Sequence, residues 1–215
     1  MKIGIMGGTF DPIHNGHLHL ARTALTQFDL DQIWFMPNGM PPHKKQSSIE
    51  SDIHERIAMT RIAIKANKQF YLQEYEAKRE KVSYSYKTME HFRKKYPDDE
   101  FYFIIGADSL FSIETWKHPE RLFKACIILA ACRDEAATKE SLNGQIQMLK
   151  GKYGAYIKFL AMPLEHVSSH EIRKLIEIAY GITNHIYSDR IVDIAEGNAR
   201  LAMLAGKVAV ETKCL

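Results

Sequence analysis

Six short apolar, β-rich runs recur along the chain with helix-forming stretches between them, and this alternation constrains the fold more than any other feature. The runs are Lys2 to Met6, Gln32 to Met36, Phe70 to Leu72, Phe101 to Ile105, Cys126 to Ala131 and Tyr156 to Leu160. A parallel strand pair needs a long crossover, and right-handed crossovers cover both faces of a sheet with helices. The expected class is therefore α/β, a doubly wound parallel sheet in a single domain with a C-terminal helical segment. Between the first two strands Leu18, Ala21, Leu25 and Phe28 share one helical face. Asp52-Ile53-His54-Glu55 is a capping-box pattern opening a helix through Ile57 and Ile64, and a third helix is expected from about Tyr86 to Tyr96. The domain is expected to span 1–197, helical from about 168, with a tail at 198–215.

In such sheets ligands sit beyond the carboxyl ends of the strands. There the first strand runs into Gly7-Gly8-Thr9-Phe10-Asp11-Pro12-Ile13-His14-Asn15-Gly16-His17. A helix start leaves backbone N–H groups unpaired and carries partial positive charge, so it favours an anion, and glycines let that anion approach the backbone. The run is neither G-x-x-x-x-G-K-[ST] nor G-x-G-x-x-G, which removes the P-loop and the dinucleotide fingerprint. A zinc pair lacks a third ligand at metal-like spacing; a plain Asn-Gly turn with solvated imidazoles remains the bland alternative.

Charge excludes other classes. A net +3 on 215 residues is too small to argue for nucleic-acid or membrane association through bulk charge. Lys78-Arg79-Glu80-Lys81 and Arg93-Lys94-Lys95 read as solvated surface, because no aromatic residues interleave a sustained basic stripe. No apolar run approaches the roughly 18 residues needed to span a bilayer, and no export signal opens the chain, so the expectation is a cytoplasmic protein. Cys126 and Cys132 on one strand would lie ~20 Å apart at ~3.3 Å per residue, too far for a disulfide. Cys214 has no metal-type neighbours.

His14-Asn15-Gly16-His17 is an H-x-G-H box, and Val167-Ser168-Ser169-His170-Glu171-Ile172-Arg173 follows about 150 residues later. Between them stand Trp34-Phe35-Met36-Pro37-Asn38, Pro41-Pro42-His43-Lys44, Ser83-Tyr84-Ser85-Tyr86, Ile104-Ile105-Gly106-Ala107-Asp108 and Glu114-Thr115-Trp116. In this order the chain resembles the nucleotidyltransferase superfamily, and within it the nicotinate-nucleotide adenylyltransferases. The resemblance implies a Rossmann-like fold and adenylyl transfer from ATP to nicotinate mononucleotide, with Mg2+ accompanying ATP. It implies ATP and nicotinate mononucleotide as partners, without nucleic acid or membrane, and leaves homo-oligomerisation open.

By that resemblance His14, His17, Lys44 and Arg173 are the catalytic candidates. Gly7, Gly8, Thr9, Gly106, Asp108, Arg133, Ser168 and Ser169 would bind ATP; Tyr84, Ser85 and Trp116 would bind nicotinate mononucleotide; no residue is expected as a dedicated metal ligand. The chemistry fits these residue types. A phosphate nucleophile needs no proton removed, so catalysis rests on holding two anions in line and stabilising charge at phosphorus. Two imidazoles at a helix start, a mobile lysine, and serines with an arginine at a second helix start supply that. The chain departs from the family pattern at Ser85, Lys87, Lys117 and Asp134, all at the pyridine or adenine end. Alternatives are the same transfer to nicotinamide mononucleotide or phosphopantetheine, a nucleotide binder without turnover, and an aminoacyl-tRNA synthetase fragment. The last is disfavoured by length and by the absence of a Lys-Met-Ser-Lys-Ser loop.

Overall fold

All six expected strands form, and they pair in parallel in the order β3-β2-β1-β4-β5-β6. The computed structural model describes residues 1–39, 49, 51–79, 82–133, 136–162, 168–170 and 172–174. Lys44, the expected helical continuation beyond 174 and the tail at 198–215 lie outside the described residues.

The elements run β1 (Lys2–Gly8), α1 (Asn15–Gln27), β2 (Gln32–Pro37), α2 (Ile53–Ile64), β3 (Phe70–Leu72), α3 (Ser85–Lys95), β4 (Glu100–Gly106), α4 (Ala107–Ser112), α5 (Pro119–Ala125), β5 (Ile127–Arg133), α6 (Ala136–Tyr153) and β6 (Ile157–Met162). Residues 169–170 and 172–174 are helical. The capping box expected at α2 is present: the Asp52 carboxylate accepts from the N–H groups of His54 (2.7 Å) and Glu55 (3.0 Å), while Glu55 accepts from the Asp52 N–H (2.7 Å).

Side-chain alternation along the strands builds two cores. Ile3 and Ile5 of β1 meet Trp34, Phe101, Phe103 and Ile128 under α3 to α6, which contribute Met89, Phe92, Leu110, Leu122 and Ile146. On the other face Met6, Ile33, Phe35, Ile104 and Leu129 pack against Leu18, Ala21 and Ala24 of α1 and Ile64 of α2. Both faces are therefore dry, as a parallel sheet requires. Cys126 and Cys132 are buried thiols in one of these cores. No helix among the described residues is long and apolar enough to cross a membrane.

The order 3-2-1-4-5-6 places the topological switch between β1 and β4. The chain leaves β1 toward α1 on one face and leaves β4 toward α4 on the other, so a crevice opens at their carboxyl ends.

Candidate functional site

The β1 exit is a tightly determined turn. Phe10 takes a left-handed backbone (φ 51°), uncommon for an aromatic residue, and its buried ring packs edge-on to His17 (5.1 Å) and against Phe35 (6.0 Å). A Cβ on Gly8 would fall 2.7 Å from that ring, so the turn needs glycine there. His14 is extended ahead of α1, and its carbonyl accepts from the N–H groups of His17 (3.0 Å) and Leu18 (3.3 Å).

The two imidazoles lie 3.8 Å apart between ring centres. The His14 backbone N–H donates to His17 Nδ1 at 3.2 Å, which leaves the ring proton on Nε2. Burial, with the neighbouring His14 adding to it, pushes the His17 pKa down to about 3. His17 is thus neutral at pH 7 in the unliganded protein and offers one directed N–H. The first turn of α1 carries no acidic residue, so its positive end is not neutralised from within.

The late box folds back onto this turn. Ser169 Oγ donates to the Pro12 carbonyl (2.9 Å), and Arg173 Nη1 donates to the Asp11 carbonyl and stands 3.8 Å from Asp11 Oδ2. Asp11 is buried, and its Oδ1 accepts from the Ser51 N–H (3.2 Å). The Ser168 carbonyl accepts from Ile172 N–H at 3.1 Å, so this segment turns as a helix start. Residues about 160 positions apart in the chain therefore form one cluster.

A second buried arginine completes the frame. Arg56 of α2 is 2% exposed, and its Nη1 donates to the carbonyls of Thr9 (2.7 Å) and Asn38 (2.9 Å). With Asn38 N–H to Gly8 O (2.9 Å), this ties the exits of β1 and β2 together. Sequence reasoning assigned no role to Arg56 or to the Asp11 side chain. The only signal was that both stood beside recognised patterns, one in the first turn after the capping box and one inside the glycine-rich run.

A cavity of about 460 Å3 lies over the switch point. Gly7, Thr9 and His17 line it together with Tyr84, Ser85 and Trp116, and Phe103 and Gly106 are part of the same lining. Trp116 is half-buried; its backbone N–H donates to the Ile113 carbonyl (3.0 Å) and its ring meets Phe103 edge-on at 6.5 Å. Asp108 sits in the first turn of α4 just after Gly106. Glu76, also lining the cavity, accepts from the Thr88 hydroxyl (2.7 Å), and burial raises its pKa. Arg133 is the last residue of β5, at the same sheet edge; its side chain is outside the described residues. His14, His17, the glycines, Thr9, Ser169 and Arg173 are thus in one cluster, and the three pyridine-end candidates share the cavity that begins there.

The cytidylyltransferase-like family profile matches residues 5–175. A probable nicotinate-nucleotide adenylyltransferase of Clostridium kluyveri is 41% identical over 179 residues, covering 82% of this chain and 88% of that one. A Carboxydothermus hydrogenoformans protein of the same description is 44% identical over 175 residues, covering 81% and 86%. Among solved structures, the Plasmodium falciparum nicotinic acid mononucleotide adenylyltransferase complexed with NaAD aligns with a TM-score of 0.64 at 21% identity, over 81% of this chain and 83% of that one. At that identity the likeness speaks for the fold.

Proposed function

The chain belongs to the cytidylyltransferase-like family, and on that premise we propose that it is an enzyme of the cytoplasm that adenylates nicotinate mononucleotide with ATP, giving deamido-NAD and pyrophosphate. The observation that carries this reading is the single cavity that joins the glycine and histidine turn to the Trp116 end, with the Ser169 and Arg173 segment hydrogen-bonded to the same turn.

A 5′-phosphate oxygen of nicotinate mononucleotide attacks the α-phosphorus of ATP in line, a new P–O bond forms, and the bond to the bridging oxygen breaks as pyrophosphate leaves with that electron pair. No proton has to be abstracted. The neutral His17 gives its Nε2–H to the phosphate oxygens, where it gains strength as charge develops, and the start of α1 adds backbone N–H groups. His14, Ser168, Ser169 and Arg173 hold the departing pyrophosphate. Arg173 has five N–H donors, so keeping one on the Asp11 carbonyl leaves others for phosphate. Lys44 adds a positive charge, Asp108 takes the ATP ribose or a metal-bound water, and Arg133 borders adenine. Trp116 stacks on the pyridine ring while Tyr84 and Ser85 lie beside its substituent. Mg2+ enters with ATP as part of the substrate; among the described residues no group of three His, Cys, Asp or Glu side chains forms a dedicated cage.

The test is pyrophosphate release with MgATP and a panel of acceptors. Nicotinate mononucleotide is expected to have the highest kcat/KM, and preference for phosphopantetheine over both pyridine nucleotides refutes the assignment. Replacing His17 by Ala should lower kcat roughly 10²- to 10³-fold, as loss of one transition-state donor does elsewhere, with much less effect on ATP affinity. Equal losses in both would mark a binding protein instead.

A further inference from the structure

We propose that the buried Asp11 carboxylate is a positioning residue for the reaction: it holds the start of α2 on one oxygen and with the other aims the Arg173 guanidinium at the departing pyrophosphate. This rests on the functional reading above and assigns Asp11 a task within it.

The carboxylate stands at a junction of three segments. Its own backbone leaves β1 behind Phe10, whose ring is buried, and Asp11 itself is 4% exposed, so packing fixes its direction. Oδ1 accepts from the backbone N–H of Ser51 (3.2 Å), which directly precedes the capping residue of α2. Oδ2 stands 3.8 Å from Arg173 Nη1 in the late segment, with both side chains largely withdrawn from water. The backbone of the same turn takes the remaining contacts: the Asp11 carbonyl accepts from Arg173 and the Pro12 carbonyl from Ser169 (2.9 Å).

Charge is unevenly matched there. Arg56 of α2 is buried at the same turn, donating to the Thr9 carbonyl (2.7 Å), and the negative charge of Asp11 opposes the burial that lowers the Arg56 pKa. Asp52 also acts on Arg56, but it is exposed and engaged by the capping box of α2. Among the described residues, two guanidiniums thus share one buried carboxylate. The surplus positive charge calls for an anion, and pyrophosphate supplies it.

A carboxylate in this place does two opposite things. Its charge weakens the pull of the cluster on any anion, because like charges repel more strongly away from water. It also restricts the Arg173 fork, whose planar donors reward a fixed direction. Removing the charge while keeping the shape separates the two effects: affinity for an anion holds or rises, while the rate of the chemical step falls. A residue that only stabilised the turn would lower both together.

The experiment measures kcat with MgATP and nicotinate mononucleotide saturating, and the affinity for inorganic pyrophosphate by calorimetry, in wild type, Asp11→Asn, Arg173→Lys and the double variant. Asp11→Asn keeps an oxygen for the Ser51 N–H, and melting scans check the fold. Asp11→Ser, smaller and equally uncharged, gives the same comparison should the amide crowd the turn. In Asp11→Asn kcat is expected to fall about tenfold: misplacement near 1 Å costs up to about 10²-fold, and the bond from Arg173 to the Asp11 carbonyl limits the movement. Pyrophosphate should bind at least as tightly as to wild type. In the double variant the loss of kcat should be little greater than in Arg173→Lys alone, the mark of two groups acting as a unit. The proposal is wrong if Asp11→Asn keeps kcat within about twofold, if pyrophosphate affinity falls in step with kcat, or if the two losses multiply in the double variant. A wild-type protein that releases no pyrophosphate from MgATP and nicotinate mononucleotide overturns the functional reading itself, and this inference with it.

Discussion

Replacing Arg56 by Met isolates the frame of the site from its chemistry. The guanidinium is 2% exposed and joins two strand exits through the Thr9 and Asn38 carbonyls at 2.7 and 2.9 Å. A buried hydrogen bond from a charged donor contributes about 1.5–3 kcal/mol, so losing both would cost about 3–6 kcal/mol. Removing a buried charge returns part of its desolvation penalty, which brings the net loss to about 3 kcal/mol. Burial already disfavours the charged form here, lowering the Arg56 pKa, and its Nε has no hydrogen-bond partner among the described residues. For a chain of this length that loss corresponds to a melting temperature lower by about 6–12 °C. Turnover should fall too, by up to about 10²-fold, because Thr9 and Asn38 bound the cavity and displacement near 1 Å in a positioning element costs that much. Arg56→Lys keeps a charge and several donors on one nitrogen and deletes the orphaned Nε–H, so it should retain most of both quantities. Calorimetry and pyrophosphate release measure the pair of effects. An Arg56→Met protein that melts within about 2 °C of wild type and keeps its kcat would refute the reasoning.

Two further outcomes follow from buried titratable groups. His17 has a folded pKa of about 3, below its ordinary value, so the unfolded chain takes up a proton first as pH falls. The stability it supports is fully present above pH 6.5 and is lost between there and pH 3, at up to about 1.4 kcal/mol per pH unit. Comparing melting of wild type and His17→Asn at pH 8 and pH 5 should show the smaller loss in the variant; parallel curves would contradict a neutral, buried ring. Burial pushes the Cys126 thiol far above its usual range, and its Sγ contacts the Leu122 carbonyl at 3.4 Å. It should resist a thiol reagent at pH 8 until the protein unfolds, and rapid native-state labelling identified by peptide mapping would show the core to be more open than described.

The inner strands β1, β2, β4 and β5 were legible because each is an apolar run buried on both faces; at the edge Phe70 to Leu72 coincides with β3, and Lys2 to Met6 falls two residues short of β1 only because glycines end it. The start of α2 was equally plain, since Asp52 and Glu55 satisfy each other's backbone donors locally. Strand order was not legible: local patterning states that strands pair in parallel but not which of them are neighbours. The pairing of β1 with β4 places the crevice. In the site, the histidine turn and the late serine-arginine segment were found through residue type and spacing. The direction of Arg173 toward Asp11, and the joining of two loops by Arg56, depend on packing across distant elements. An arginine in an amphipathic helix reads as solvent-facing until the fold shows what surrounds it.

The bond from Ser169 to Pro12 bridges 157 positions and that from Arg173 to Asp11 bridges 162. During synthesis, then, a nascent polypeptide can lay down its entire sheet and both hydrophobic layers while the turn after β1 still lacks these two partners. On the roles proposed for Ser169 and Arg173, competence to hold a triphosphate arrives late, when the segment after β6 emerges and docks, so a product terminated before it would be structured but inert.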